Sequence, residues 1–414
     1  MISRGLSSLG KRTFGSFRNR VFRIYFGGLL GQMAAMNMQQ VVSSLLIYRV
    51  TNSAAILGAM SFSGAIPMLV CSFFGGMIAD RFNKKRVMII GQSVFAFTSL
   101  IVAVALTTGY LSSEHAGSWW VLVVSSALQG GTMGMTMPSR QALIPEIVSG
   151  EQLMNAISLN TMGMNLLQIL APAAAGFLVE AFDFKAVYYV MTMMYLAAVF
   201  FFFILPDTQK VARTPMRTFQ GITQGIKYVI HSLDVLPILL ISTVIVFLAM
   251  PYNNLMAIFV DDVLHVGAGG MGILMSVSGL GALVGSVIIA TLPNRKRGIL
   301  FVISGILLGL SLTGFAFSTS WPLSIVLIAV VGLAQTGRMT FSSTLIQSYV
   351  DEAYMGRVMA LYMMQFGFAS LSTFLAGLLT EGIGVQWAVG GMAILLTSVM
   401  LGTIIFMPRI RKMK

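Results

Sequence analysis

Side-chain amides sit inside long apolar stretches of this chain: Asn37, Gln39 and Gln40 in one, Gln129 in another, Asn253 and Asn254 in a third, and Gln335 in a fourth. A carboxamide stays neutral and offers both donors and an acceptor, so its chemistry is recognition by hydrogen bonding, not proton transfer. Left against hydrocarbon it is costly, which turns these residues inward, onto neighbouring helices or onto something passing between them. Thr132 adds a hydroxyl on the turn after Gln129, and Tyr252 adds a ring for stacking beside Asn253. Arg338 is the deepest cation in an apolar stretch; it could attract an anion or pair with a carboxylate, or simply snorkel to the interface. Every Asp and Glu falls near the end of a stretch or in a loop. A carboxylate at mid-bilayer would cost about 2.5 to 3.5 kcal/mol and mark a proton or ion path, so this pattern argues against a dedicated sugar–proton or anion–proton symporter. Glu180 and Glu381, each closing an apolar stretch, are the best protonatable pair, and each also reads as an ordinary interface charge.

Other chemistries find no foothold. No Gly-x-x-x-x-Gly-Lys-Ser/Thr run is present to cradle a nucleotide. His115, His231 and His265 are far apart in loops or linker, and Cys71 is the single cysteine, so neither a metal, a disulfide nor a cofactor is expected. Nothing suggests an enzyme.

The elements that must position these residues are membrane spans. Hydrophobic residues make up 57% of 414 and charged residues 9%. About twelve stretches long enough to cross roughly 30 Å of hydrocarbon recur, near 21–48, 54–79, 87–109, 119–138, 155–180, 185–205, 235–259, 269–292, 299–318, 322–345, 358–380 and 385–407. The net charge of +13 is not gathered in a soluble domain with interleaved aromatics, so it speaks for topology and not for nucleic acid. With twelve spans and both termini cytoplasmic, all of the 26 Lys and Arg fall on the cytoplasmic side except Arg49 and Lys185, a strong positive-inside bias. The basic N-terminal tail runs into an apolar helix too long for a cleaved signal, so the first span should remain as an anchor in the inner (plasma) membrane.

The chain also looks duplicated. Ala-Gly-Phe-Leu-Val-Glu at 175–180 parallels Ala-Gly-Leu-Leu-Thr-Glu at 376–381, and Asn-Lys-Lys-Arg at 83–86 parallels Asn-Arg-Lys-Arg at 294–297. Ala-Met-Asn-Met-Gln-Gln at 35–40 parallels Ala-Met-Pro-Tyr-Asn-Asn at 249–254, so each half carries an amide pair within its first span. The expected organisation is a six-helix bundle at 1–205, a cytoplasmic linker at 206–234 and a second six-helix bundle at 235–414. Phe219, Ile222, Ile226, Val229, Ile230 and Leu233 recur at helical spacing, which predicts an amphipathic helix in the linker, lying on the membrane surface. Two such lobes are the plan of an alternating-access transporter.

Between the second and third spans runs Gly75 to Arg86, Gly-Gly-Met-Ile-Ala-Asp-Arg-Phe-Asn-Lys-Lys-Arg. With Gly76, Ala79, Asp80, Arg81, Lys84 and Lys85 in place, it resembles the signature loop of the major facilitator superfamily, Asn83 standing where the family usually has Gly. Asn tolerates the left-handed turn, so the loop geometry is kept. The resemblance implies the twelve-helix, two-lobe all-α fold of that family, with gating roles for Gly76, Asp80, Arg81 and Arg357. The family's helix 4 pattern appears as Ser126-Ala127-Leu128-Gln129-Gly130 without its Arg, which puts proton transfer by that route in doubt. A degenerate exporter pattern, Ala171-Pro172-Ala173-Ala174-Ala175-Gly176, brings Pro172 and Gly176 into the gate, with the glycine-rich eighth span as the packing face. Thr51-Asn52-Ser53-Ala54 and Gly356-Arg357-Val358-Met359-Ala360 resemble the drug, macrolide and siderophore exporter branch.

In that family the first, fourth, seventh and tenth spans face the cavity. The resemblance therefore implies substrate contacts for Asn37, Gln39, Gln40, Gln129, Thr132, Tyr252, Asn253, Asn254, Gln335 and Arg338, with some of the 31 methionines as a pliant wall for apolar cargo. The expected protein is a monomeric exporter of small amphipathic, drug-like molecules driven by a proton gradient, with Glu180 and Glu381 as coupling candidates. The rivals are a siderophore or other anionic metabolite exporter, a lysolipid flippase and, in another class, a membrane sensor or scaffold without turnover.

Overall fold

Long runs of apolar residues with few interior charges have one way to satisfy their backbone in a bilayer, and the computed structural model of the chain is helical accordingly. It describes residues 15–115, 117–148, 150, 152–207, 218–292, 296–411 and 413. Among these, nine helices are long and apolar enough to cross a membrane.

By contacts the chain divides into two units. The first comprises Met1–Val42 and Ser63–Pro215, the second Ser43–Phe62 and Met216–Lys414. Residues 43–62, which by sequence lie within the first bundle, thus join the second unit.

The first unit contains the N-terminal part of α1 (Arg20–Thr51), most of α2 (Ala54–Arg81), α3 (Lys84–Thr107), α4 (Trp120–Ile147) and α5 (Gln152–Ile204). At 1.5 Å per residue the 53 residues of α5 would span about 80 Å, far more than one crossing. The helix breaks at Asp183 (φ 78°, ψ 164°), in the gap between the fifth and sixth predicted spans. Asp183 Oδ1 accepts the Phe184 N–H at 2.6 Å. Helix α4 runs past the predicted end at 138, through Pro138 and Pro145, and carries Arg140 and Glu146 inside it. The core at the N-terminal end of this unit packs Phe22, Tyr25 and Leu29 of α1 on Leu143 of α4 and Phe202 of α5.

Beyond residues 43–62, the second unit contains α6 (Thr218–His231), α7 (Val235–Ala249), α8 (Tyr252–Ile258) and a π turn, Phe259–Val263. Then come α9 (Gly267–Thr291), α10 (Arg297–Phe317), α11 (Trp321–Tyr349), α12 (Met355–Met363), α13 (Gln365–Ile383) and α14 (Val385–Phe406). The amphipathic linker helix is α6; the segment 208–217 before it lies outside the described residues. It docks on α12 through Gly225, where a Cβ would meet Arg357 Cβ at 3.0 Å, and through Tyr228, stacked on Tyr354 at 4.4 Å. Ile226 and Ile230 remain exposed.

A similar close crossing occurs in each unit. A Cβ on Gly130 of α4 would collide with the Gly64 carbonyl of α2, and one on Gly332 of α11 with the Ser278 carbonyl of α9. Helices α2 and α4 in the first unit, and α9 and α11 in the second, therefore touch backbone to backbone, an approach only glycine permits.

Candidate functional site

In the first unit the amides form a network. Gln39 Nε2 donates to Gln129 Oε1, Gln129 Nε2 donates to Thr98 Oγ1 at 2.9 Å, and the Tyr195 hydroxyl donates to Gln39 Oε1 at 3.0 Å. Tyr195 is fully buried and stacks on Phe95 at 5.3 Å, which fixes the acceptor side of the network. Asn37 and Thr132 turn onto their own helices, Asn37 Nδ2 to the Met33 carbonyl at 2.8 Å and Thr132 Oγ1 to the Leu128 carbonyl at 2.7 Å. Gln40 is exposed. Met33 and Met36 serve as weak acceptors, from Arg140 Nη1 and Gln32 Nε2, both at 3.8 Å.

In the second unit the polar cluster lies where α7 ends and α8 begins. Met250 Sδ receives the Asn253 and Gln335 amides, each at 3.8 Å. Tyr252 is 3% exposed, with its hydroxyl hydrogen-bonded to Ser278 and Asn253, so its ring is a core element in this state and not an open stacking face. Asn254 Nδ2 reaches Ser61 Oγ at 3.4 Å. Gln335 Oε1 accepts Arg338 Nε at 3.3 Å. Arg338 does not snorkel: it is 1% exposed, because α11 continues to Tyr349 and surrounds it with packed helices.

A second polar focus, unforeseen from sequence, ties residues 48–55 into the same unit. Arg49 Nε and Nη2 grip both carboxylate oxygens of Asp261, at 2.8 and 2.9 Å. The Tyr48 hydroxyl donates to Asp262, and Glu381 Oε1 accepts from Ser53 Oγ and, at 3.2 Å, from the Ala55 N–H. These groups sit at one end of the unit, beside a cavity of about 320 Å³ lined in part by Tyr48, Asn52, Asp262, Glu381 and Trp387. Glycines bring the backbones together there: a Cβ on Gly58 would meet Phe374 Cα at 2.8 Å, and one on Gly377 the Ala54 carbonyl. The signal was present as two acids after the seventh predicted span and a lone Tyr-Arg after the first, but not their pairing.

The other expected residues are dispersed. Gly76, Asp80 and Arg81 fall on the last turns of α2, and their side-chain surroundings lie outside the described residues. Next to them Asn83 takes extended backbone (φ −63°, ψ 117°), not the left-handed turn expected of it, because it caps α3, accepting the Lys85 N–H at 3.0 Å; the buried Lys84 pairs with Glu146 of α4. Arg357 lies over the Tyr354 ring at 5.2 Å, and its buried Nε has no partner. Pro172 and Gly176 are buried in α5. Glu180 is exposed in the first unit, whereas Glu381 belongs to the second. Among the described residues no group of His, Cys, Asp and Glu is arranged to hold a metal ion.

A family described as transmembrane secretion effectors matches residues 11–414. The chain is 22% identical to the staphyloferrin A transporter of Staphylococcus aureus, over 89% of this chain and 90% of that one. It is 22% identical to macrolide efflux protein A of Streptococcus pyogenes, over 90% and 92%. Among solved structures, the nucleoside transporter NupG aligns with a TM-score of 0.78 at 14% identity, covering 92% of this chain and 99% of NupG, a likeness of fold.

Proposed function

We propose, starting from the fact that the chain belongs to the transmembrane secretion effector family of major facilitator transporters, that it exports small amphipathic, mostly apolar molecules by alternating access. In this reading there are twelve spans in the plasma membrane and both termini are cytoplasmic. The expected count and orientation rest on the break at Asp183, on the positive-inside bias, and on α1 and α4, which are long enough to cross although more polar than the nine.

The observation that carries the proposal is the membership of residues 43–62. Continuous helices α1 and α2 each contribute one part to the first contact unit and one to the second. Helices shared in this way are what one end state of a rocking transporter requires: the shared ends are latched in one state and must part from the second unit in the other. The latch is small enough to open. Its Arg49–Asp261 pair is partly exposed, at 38% and 18%, which limits it to about 1 kcal/mol.

The cargo reading rests on the lining chemistry. Neutral amides on α1 and α4 and thioethers that already act as weak acceptors suit varied, weakly polar molecules better than one fixed polar ligand. For the drive, Asp261, Asp262 and Glu381 are the carboxylates that a proton arriving from outside would meet. Protonation removes the charges that Arg49, Tyr48 and Ser53 hold, which loosens the latch and makes proton entry and opening one event. This route does not need the missing helix 4 arginine.

The test is accumulation of a panel of fluorescent amphiphiles, neutral and anionic, in cells with and without the protein, repeated after an ionophore collapses the pH gradient. Lower accumulation that the ionophore restores is expected. No difference across a panel of amphiphiles, in cells and in proteoliposomes, would instead favour a sensor or scaffold.

A further inference from the structure

Two cations are buried among the described residues, Lys84 at 8% and Arg338 at 1% exposure, and they are treated differently. Lys84 has a carboxylate, Glu146. Arg338, the largest of the fully buried side chains, has no carboxylate within ion-pairing distance among the described residues, and its Nη1 has no hydrogen-bond partner. A guanidinium cannot relieve this by losing its proton, and a charge withdrawn from water without compensation is strongly unfavourable.

The surroundings prepare one edge of the group. Nε is committed to Gln335 Oε1 at 3.3 Å, and the Gln335 amide is itself held by Met250 Sδ at 3.8 Å. The side-on edge is therefore used, and the end-on edge is the one left for pairing with an oxyanion. Tyr362, close enough to act on Arg338 electrostatically, shares a 2.7 Å hydrogen bond with Ser342. The flanking helices pass from one to the next close to these partners while the backbone keeps helical φ/ψ. The α7–α8 junction falls at Met250 and Pro251, and the α12–α13 junction at Met364, two residues beyond Tyr362.

We propose that the free edge of Arg338 binds an oxyanion, a carboxylate or phosphate, carried by an otherwise apolar cargo. This deepens the exporter reading by naming a charged group the cargo carries, and it rests on that reading only for the word cargo. The anion can come from a free carboxylate metabolite or from a lysophospholipid headgroup, and the experiment separates the two.

The full-length protein in detergent is unfolded thermally with citrate, with lysophosphatidylglycerol, or with neither, at matched ionic strength. One of the anions should raise Tm in a saturable manner. The rise should vanish in Arg338→Gln and need at least about tenfold more anion in Arg338→Lys, which keeps the charge but loses the fork. Gln335→Glu supplies an internal counter-ion, so it should raise Tm without ligand and abolish the response; it carries the test if Arg338→Gln does not fold. A response to citrate identifies a carboxylate cargo, and one to lysophosphatidylglycerol alone identifies a lipid headgroup. No response to either anion in the unmodified protein, or a full response retained in Arg338→Gln or Gln335→Glu, overturns the proposal. Because the readout is binding, it is independent of whether any amphiphile is exported.

Discussion

Tyr48→Phe tests the latch most sharply, because it removes one hydroxyl and keeps the ring. Tyr48 is 7% exposed and its hydroxyl donates to the Asp262 carboxylate. A hydrogen bond to an ionised group contributes about 1.5 to 3 kcal/mol. The adjoining cavity of about 320 Å³ can admit water to replace the lost donor, which places the expected loss at the lower end, near 1.5 kcal/mol. That is about tenfold in the ratio of open to latched molecules. A cysteine at Ala54, 4% exposed here, reports opening through its reaction rate with a membrane-impermeant thiol reagent, in a background where Cys71 is replaced by serine. The rate should rise about tenfold in Tyr48→Phe and less than about fivefold in Arg49→Ala, whose ion pair is partly screened by solvent. An unchanged rate in Tyr48→Phe, or a larger rise in Arg49→Ala, would refute the argument that the buried hydrogen bond outweighs the exposed ion pair.

Glu146→Ala leaves Lys84 buried without a counter-ion and should cost about 3 to 5 kcal/mol in reversible unfolding. A double-mutant cycle of Gln39→Ala and Gln129→Ala should return a coupling of about 0.6 to 1.7 kcal/mol, with reduced amphiphile efflux in either single variant. Gly332→Val places side-chain atoms on the Ser278 carbonyl, so the protein should fail to reach its folded state in a fluorescence size-exclusion assay, while Gly382→Val, where a Cβ meets open space, should pass. Replacing Asp261 and Asp262 together by asparagine imitates protonation and should flatten the dependence of efflux on external pH.

Much of the fold was legible because a bilayer leaves helices as the solution for apolar runs. The α5 break at Asp183 lies between two predicted spans, and α6 covers residues 218–231 of the stretch with helical spacing. Helix α4 runs on past the predicted end at 138, its prolines tolerated because neighbouring helices in a membrane protein re-satisfy the freed backbone groups. That predicted end placed Arg140 in a loop and hid Glu146 as the partner of Lys84. For Arg338 the sequence left snorkelling open, since hydropathy does not reveal how far α11 extends or what surrounds it. Spacing along one chain carries no information on the Tyr48–Asp262 contact, whose residues are 214 positions apart. Nor does it tell which unit the end of a continuous helix packs against, and that is the feature on which the mechanism depends.

Cross-linking residues 49 and 261 reports on that dependence directly. Arg49→Cys and Asp261→Cys are combined in a protein without Cys71 and joined by a short, reducible bis-methanethiosulfonate. Cargo efflux in proteoliposomes is then followed before and after reduction. Alternating access predicts that the joined protein is inactive and that reduction restores its flux. Undiminished efflux with the cross-link complete would mean that residues 43–62 never leave the second unit, contradicting the account.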